Sequence, residues 1–234
     1  MWRYVDFARF MAMLHSSALW FARLDKMQDH YEGIMPKGYF DKLMAAFDTL
    51  AVGQPAFKAK ADDARPHLQR EYAQRSRQSV YVNCWHLSDF ESGAMWKIYS
   101  DNAIAIRSTF SCLRDSFKAE PNFDVWIGVM KYVDFDNPVE FLNLKEGPSL
   151  YKRQIYDFEK EIRAVIHRNH GGTEPGPAGL EVPVRLDTLI DAVYVGPGRP
   201  EWFARLVKEM LERFGLPDIP VQRSGMDGKP LYLS

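Results

Sequence analysis

Hydrophobic positions along this chain fall into short alternating runs interrupted by a few helical stripes, the pattern of a sheet packed against helices. Trp2–Val5 reads as an extended opening. From Asp6 onward, Phe7, Phe10, Met11 and Leu14 recur at i, i+3, i+4 and i+7, which predicts a helix with one buried stripe. Asp6 suits its N-cap, because a carboxylate there can accept from the unpaired amides of the first turn. A strand is expected over 18–24. Helices follow over Lys37–Leu50 and 58–77, broken by Gly53 and Pro55, with Pro66 kinking or restarting the second. The second of these is polar and charged, so 37–78 is expected to be a helical excursion from the core.

Beyond it, β-branched and aromatic content predicts strands over 79–86, 103–109, 125–135, 158–167, 189–195 and 219–223. Helices are expected over 91–99, 111–117 and 200–214. The last carries Trp202, Leu206, Met210 and Phe214 as its apolar line, with Gly215 as C-cap. The glycine- and proline-rich run 170–179 reads as a loop. There is no repeat, no linker and no regular βαβ alternation. The expectation is a single α+β domain over residues 1–234, its sheet mixed or mostly antiparallel and flanked by helices.

Composition narrows the function classes more than it names one. A length of 234 residues is enough for a sizeable core. The net charge of -1 argues against a broad nucleic-acid or anionic-membrane surface. No run approaches the roughly 18 apolar residues of a membrane helix. Cys84 and Cys112 do not make a disulfide framework, and the first residues do not read as a signal peptide. A reducing, cytoplasmic home is the expectation.

Candidate chemistry centres on residues 158–167. Alternate residues of a strand share a face, so Glu159, Glu161 and Arg163 would stand together with Val165 and His167. Two carboxylates about 7 Å apart can divide the work of holding a hydroxyl and stabilising positive charge. The same pattern also describes the solvated side of an antiparallel sheet, with Arg163 pairing the acids. In the loop 25–33, Asp29 and Glu32 flank His30 and Tyr31 and could bind a ribose, a cation or a metal. A capping box from Asp29 to Glu32 explains them more simply. Cys84 and His86 share a strand face, and a buried structural cysteine outweighs a metal or nucleophile reading there. Trp96 and Tyr99, three apart, read as core before they read as a stacking platform. No phosphate-binding glycine loop or nucleophile elbow is present.

In chain order, Trp2-Arg3-Tyr4, Leu19-Trp20-Phe21-Ala22-Arg23, Asp29–Glu32, Cys84-Trp85, Met95-Trp96, Tyr99, Lys131-Tyr132, Lys152 and Glu159-x-Glu161-x-Arg163 resemble a bacterial family catalogued as domain of unknown function 2971. The resemblance covers most of the chain and is weakest over 36–78. The family's loop reads Asn-Asp-Pro-Phe-Glu, where this chain has Gln28-Asp29-His30-Tyr31-Glu32: the acids are kept and the proline is not. The chain is also similar, more loosely, to the ADP-ribosyltransferase fold. Its three motifs would correspond to Arg3, to Ser108-Thr109 or Trp96 and Tyr99, and to Glu159-x-Glu161. That resemblance implies a toxin or phage-defence enzyme that consumes NAD as substrate, with no tightly bound cofactor and no metal. Glu161 would stabilise the oxocarbenium-like ribose and Glu159 would position the acceptor. Arg3 would hold phosphate or ribose, and an aromatic ring would pack on nicotinamide; Tyr4, Asp29, Glu32, Trp96, Tyr99 and Arg163 complete the implied binding set. The alternative is a non-catalytic module that binds a nucleotide or a protein partner through the same polar face.

Overall fold

The computed structural model describes residues 1–34, 36–50, 52, 58, 67, 70–71, 73–75, 77–98, 104–117, 124–136, 148–168 and 176–228. The chain opens with β1 (Trp2–Val5), α1 (Phe7–Ser16) and β2 (Ala18–Arg23). Asp6 caps α1 by accepting from the Arg9 amide at 2.7 Å. The stripe through Phe10, Met13 and Leu14 is buried. After α2 (Lys37–Leu50) come β3 (Val80–His86), α3 (Gly93–Ile98), β4 (Ile104–Arg107) and α4 (Phe110–Ser116). The helix expected over 58–77 lies for most of its length outside the described residues, as does Tyr99.

The middle and end of the chain supply β5 (Val125–Val129), β6 (Lys131–Val133), β7 (Tyr151–Arg153), β8 (Glu161–His167), β9 (Gly179–Pro183), α5 (Leu186–Leu189), β10 (Ala192–Val195), α6 (Glu201–Arg213) and β11 (Val221–Arg223). Among the described residues nine strands form one sheet, and β6 and β7 form a separate parallel ribbon. The α+β expectation is met. All pairings in the large sheet are antiparallel except β10 with β11, whose parallel order is allowed by the crossover helix α6.

β3 is the hub. Along one edge all seven of its residues pair with β8, from Val80 opposite His167 to His86 opposite Glu161. Its other edge is shared: Trp2 of β1 pairs with His86, while Ala22 and Arg23 of β2 pair with Val82 and Tyr81. The sheet therefore divides at β3 into one wing continuing through β1, β4, β10 and β11 and another through β2 and β9. The main core fills one side, where Phe10, Leu14, Phe21, Trp85, Ile106 and Ile166 meet Phe203 and Val207 of α6. Two smaller clusters lie around Val165 with Leu24 and Leu150, and around Tyr4 with Trp96. Among the described residues no helix is long and apolar enough to cross a membrane.

Several expected boundaries are corrected. The strand expected over 125–135 breaks at Met130, whose amide donates to the Glu161 carbonyl at 2.9 Å, and β6 then leaves the sheet for β7. The strand expected over 189–195 starts only at Ala192, behind a helical turn over Leu186–Leu189. β9, adjoining the predicted loop, is a strand on the edge of the sheet, where Pro183 removes no interior ladder bond.

Candidate functional site

The strand expected over 158–167 begins only at Glu161. Residues Gln154–Glu159 form a 3-10 turn, and Lys160 turns the chain through a left-handed backbone with φ of 39°. A non-glycine residue there is uncommon. The Lys160 carbonyl accepts from Leu87 at 2.7 Å, and its amide donates to Asp157. Glu159 and Glu161 are thus not alternate residues of one strand. They meet because both reach the same ammonium, that of Lys152 on β7: Lys152 Nζ donates to Glu159 and, at 3.1 Å, to Glu161.

Lys152 Nζ also lies 3.3 Å from Glu32. Arg163 grips Glu161 with two bonds, Nε to Oε1 at 2.6 Å and Nη2 to Oε2 at 3.1 Å. The same Nη2 donates to Glu32 at 2.5 Å, and Nη1 donates to the Ser149 carbonyl at 3.0 Å. This overturns the solvated-face alternative: Arg163 is 0% exposed, Glu32 2%, Glu161 4% and Lys152 5%. Leu24, Met130, Leu150 and Tyr132 pack around this side of β8 and keep it dry. The capping role expected for Glu32 is also corrected, since its carboxylate is spent on Lys152 and Arg163. Asp29 does shape the loop by accepting from the Tyr31 amide, and it also takes two bonds from Arg153 at 2.9 and 3.2 Å. The Arg153 guanidinium lies 4.5 Å from the Tyr31 ring and 5.5 Å from that of Tyr156.

Charge in this cluster does not balance. Among the described residues the cations facing Glu32, Glu159 and Glu161 are Lys152 and Arg163, which leaves one negative charge in excess there. Burial alone would push the Glu161 carboxyl up, but the charge and hydrogen bonds of Arg163, with Lys152 behind them, hold it at about 2. Glu159 goes the other way. Burial raises its pKa, and Lys152 opposes that only in part, with the Glu161 charge adding to the rise. Its side chain is also the most open of the three, 21% exposed against 5% and 3%. Of Glu159 and Glu161, Glu159 is therefore the carboxyl shifted toward its protonated form and the one nearer solvent.

The neighbouring groups are quieter. The Tyr132 hydroxyl accepts from the Glu161 amide at 2.7 Å, and burial pushes its pKa up to about 12. Cys84 stands opposite Arg163 on β3. Burial and the Glu161 charge lift its thiol well above the usual range, which suits a structural cysteine and not a nucleophile. Among the described residues no group of three or more His, Cys, Asp or Glu side chains is arranged to hold a metal ion.

The expected first-strand residue is corrected from Arg3. Directly paired residues of an antiparallel sheet share a face, so the register Trp2–His86–Glu161 puts Trp2 and Tyr4 on the Glu161 side and Arg3 on the other. The Arg3 guanidinium lies 5.9 Å from the Trp85 ring. Tyr4 packs edge-on to Trp96 at 4.9 Å and lies 6.3 Å from His86. The His86 Nδ1–H donates to the Glu159 carbonyl at 2.6 Å, joining this aromatic group to the carboxylates. All three rings are buried, so Tyr4 and Trp96 form core rather than an open platform. Ser108 is buried and donates to the Leu189 carbonyl, and Thr109 caps α4.

Lys152 was visible only through the family pattern, and Arg153, Tyr156 and Ser149 carried no sequence signal. The Glu91 carboxylate accepts from Trp96 Nε1, Ser224 Oγ and the Gly225 amide, tying Ser224 and Gly225 to α3. A cavity of about 340 Å³ lies further along the face of β8, and one of about 180 Å³ lies beside Trp96. Comparison with family models, with curated proteins and with solved structures gives no match.

Proposed function

We propose that this chain belongs to the family it resembles, domain of unknown function 2971, and that Glu159 is the reacting carboxylate of an ADP-ribosyltransferase-like site that consumes NAD. One observation carries the reading. Asp29, Glu32, Cys84, Lys152, Glu159, Glu161 and Arg163, scattered over the chain and singled out by the resemblance, gather around one end of β8. Within that group the two carboxylates exchange the roles the resemblance implied. Glu161 has both oxygens engaged by cations and positions Lys152 and Arg163, while Glu159 is free enough to act.

In the reaction the bond between the ribose C1′ and the nicotinamide nitrogen breaks, and its electron pair leaves with neutral nicotinamide. The positive charge left on the ribose is stabilised by the Glu159 carboxylate. Water or an acceptor hydroxyl then attacks C1′ and its proton passes to Glu159, whose raised pKa favours taking it. A toxin or phage-defence role in a bacterial cytoplasm is the setting this activity implies.

The test is release of nicotinamide from NAD by the purified protein. Turnover that falls about 100-fold or more in Glu159→Gln, with the fold intact, is the expected result; no turnover would overturn the enzymatic reading. A second reading is favoured by the saturation of Glu161 and the burial of Tyr4 and Trp96: a module that binds nucleotide without cleaving it. It predicts that NAD raises the melting temperature while no nicotinamide appears.

A further inference from the structure

Beside Trp96, three parts of the chain border a cavity of about 180 Å³. Gly93, Trp96 and Lys97 of α3 form one wall, Pro197 and Arg199 of the turn after β10 a second, and Met226 a third. Hydrogen bonds pin these walls to one another. The Glu91 carboxylate, just before α3, accepts from Trp96 Nε1 at 2.7 Å, from Ser224 Oγ at 2.6 Å and from the Gly225 amide at 2.6 Å. The Asp227 carboxylate accepts from the Gly198 amide at 2.7 Å and from Arg223 at 3.1 Å. Arg223 also donates to the Arg199 carbonyl at 2.9 Å, and the Ser224 amide to the Val195 carbonyl at 2.9 Å. The cavity is therefore built by the fold itself.

Its charge is one-sided. Among the described residues Lys97 and Arg199 line it and no acid does. The two acids of the frame, Glu91 and Asp227, are occupied by the donors just given. Lys97 is exposed and enters no ion pair among the described residues. The rest of the lining is apolar: the Trp96 ring, whose one polar atom is spent on Glu91, with Pro197 and the Met226 thioether. Met226 is 52% exposed, which leaves apolar surface in water. A cavity of about 150 Å³ accommodates benzene, so there is room here for one ring or a short branched chain. An inorganic anion would leave the apolar walls uncovered, and a neutral hydrocarbon would make no use of Lys97.

We propose that this cavity binds a small monocarboxylic acid in its anionic form. The apolar body lies against Trp96, Pro197 and Met226 and the carboxylate on Lys97, with Arg199 adding positive potential. The carboxylates around Lys152 take no part, so binding here and the release of nicotinamide can fail separately.

The experiment titrates the full chain at pH 7 with phenylacetate, with phenylacetamide as its uncharged counterpart, and with inorganic phosphate, followed by ligand-observed NMR and calorimetry. Phenylacetate should bind saturably at millimolar or lower concentration. It should bind about tenfold more tightly than the amide or phosphate, the scale of one hydrogen bond to a charged group. Lys97→Gln, a change at an exposed position, should weaken phenylacetate about tenfold with the fold intact. A Cβ at Gly93 would meet the Met226 methyl at 3.4 Å, an ordinary contact, so Gly93→Leu should keep the fold, fill the space beside Met226 and abolish binding. No saturable binding of phenylacetate at millimolar concentration would overturn the proposal. Equal binding of the amide would mean a plain apolar pocket and equal binding of phosphate a plain anion site, and either overturns it. So would phenylacetate binding that Lys97→Gln or Gly93→Leu leaves unchanged.

Discussion

On one face of β8, Ile162, Ala164 and Ile166 enter the apolar core, while on the other Glu161 and Arg163 are equally hidden from water. The two faces are held by opposite means. The first needs only volume and shape, and each side chain contributes by what it displaces. The second depends on every member being present, because an ion deprived of its partner in a dry site has nowhere to turn. A strand buried on both sides can therefore be tolerant on one and brittle on the other.

The largest expected effect breaks the brittle side. Arg163→Ala leaves Glu161 and Glu32 sharing Lys152 alone and should cost about 3–5 kcal/mol in urea unfolding. Ile166→Ala on the opposite face should cost about 2–5 kcal/mol as a cavity. The difference between the faces appears on repair. Replacing Glu32 and Glu161 by Leu together with Arg163→Met leaves Lys152 and Glu159 as a neutral pair and should recover most of the Arg163→Ala loss. A triple variant no more stable than Arg163→Ala would mean that the charges are not the source of the cost.

Next in size is the acid limb. The folded-state pKa of Glu161 lies below its ordinary value, so its contribution is present above about pH 4.5 and is lost as pH falls toward 2. The fall from 4.5 to about 2 corresponds to about 3 kcal/mol, so wild type should lose that much more across the window than Glu161→Gln. Glu159 has the opposite sign. Its pKa is raised in the fold, so its favourable contribution is present below pH 4.5 and disappears as pH rises through the folded value. Glu159→Gln should therefore gain on wild type above pH 4.5.

Much of the fold was legible in the sequence, and for reasons that explain what was not. The stripe from Phe7 to Leu14 with its Asp6 cap, and the β-branched runs of β3 and β8, are local signals and produced their elements. The left-handed turn at Lys160 has no glycine to announce it, and the break at Met130 is made by a bond to Glu161, far along the chain. Alternating charge along β8 looked like a wet face because the ribbon that covers it comes from residues 131–133 and 151–153. Arg3 and Tyr4 are neighbours in sequence and opposites in space, a matter decided only by the register of Trp2 with His86.

The smallest effect sits at the edge of the cluster. Arg153 is one-third exposed, so Arg153→Ala should destabilise less than either change within the dry group. Added salt should shrink its effect while leaving that of Arg163→Ala nearly untouched.

The division of labour between the two glutamates is tested most directly by unfolding Glu159→Gln and Glu161→Gln side by side in urea at pH 7. Glu161→Gln should lose about 3 kcal/mol, because it strips both cations of a shared partner. Glu159→Gln should stay within about 1 kcal/mol of wild type, because its carboxylate is the excess charge. Equal losses from the two variants, or a larger loss from Glu159→Gln, would contradict the assignment of Glu161 as the lock and Glu159 as the open carboxylate.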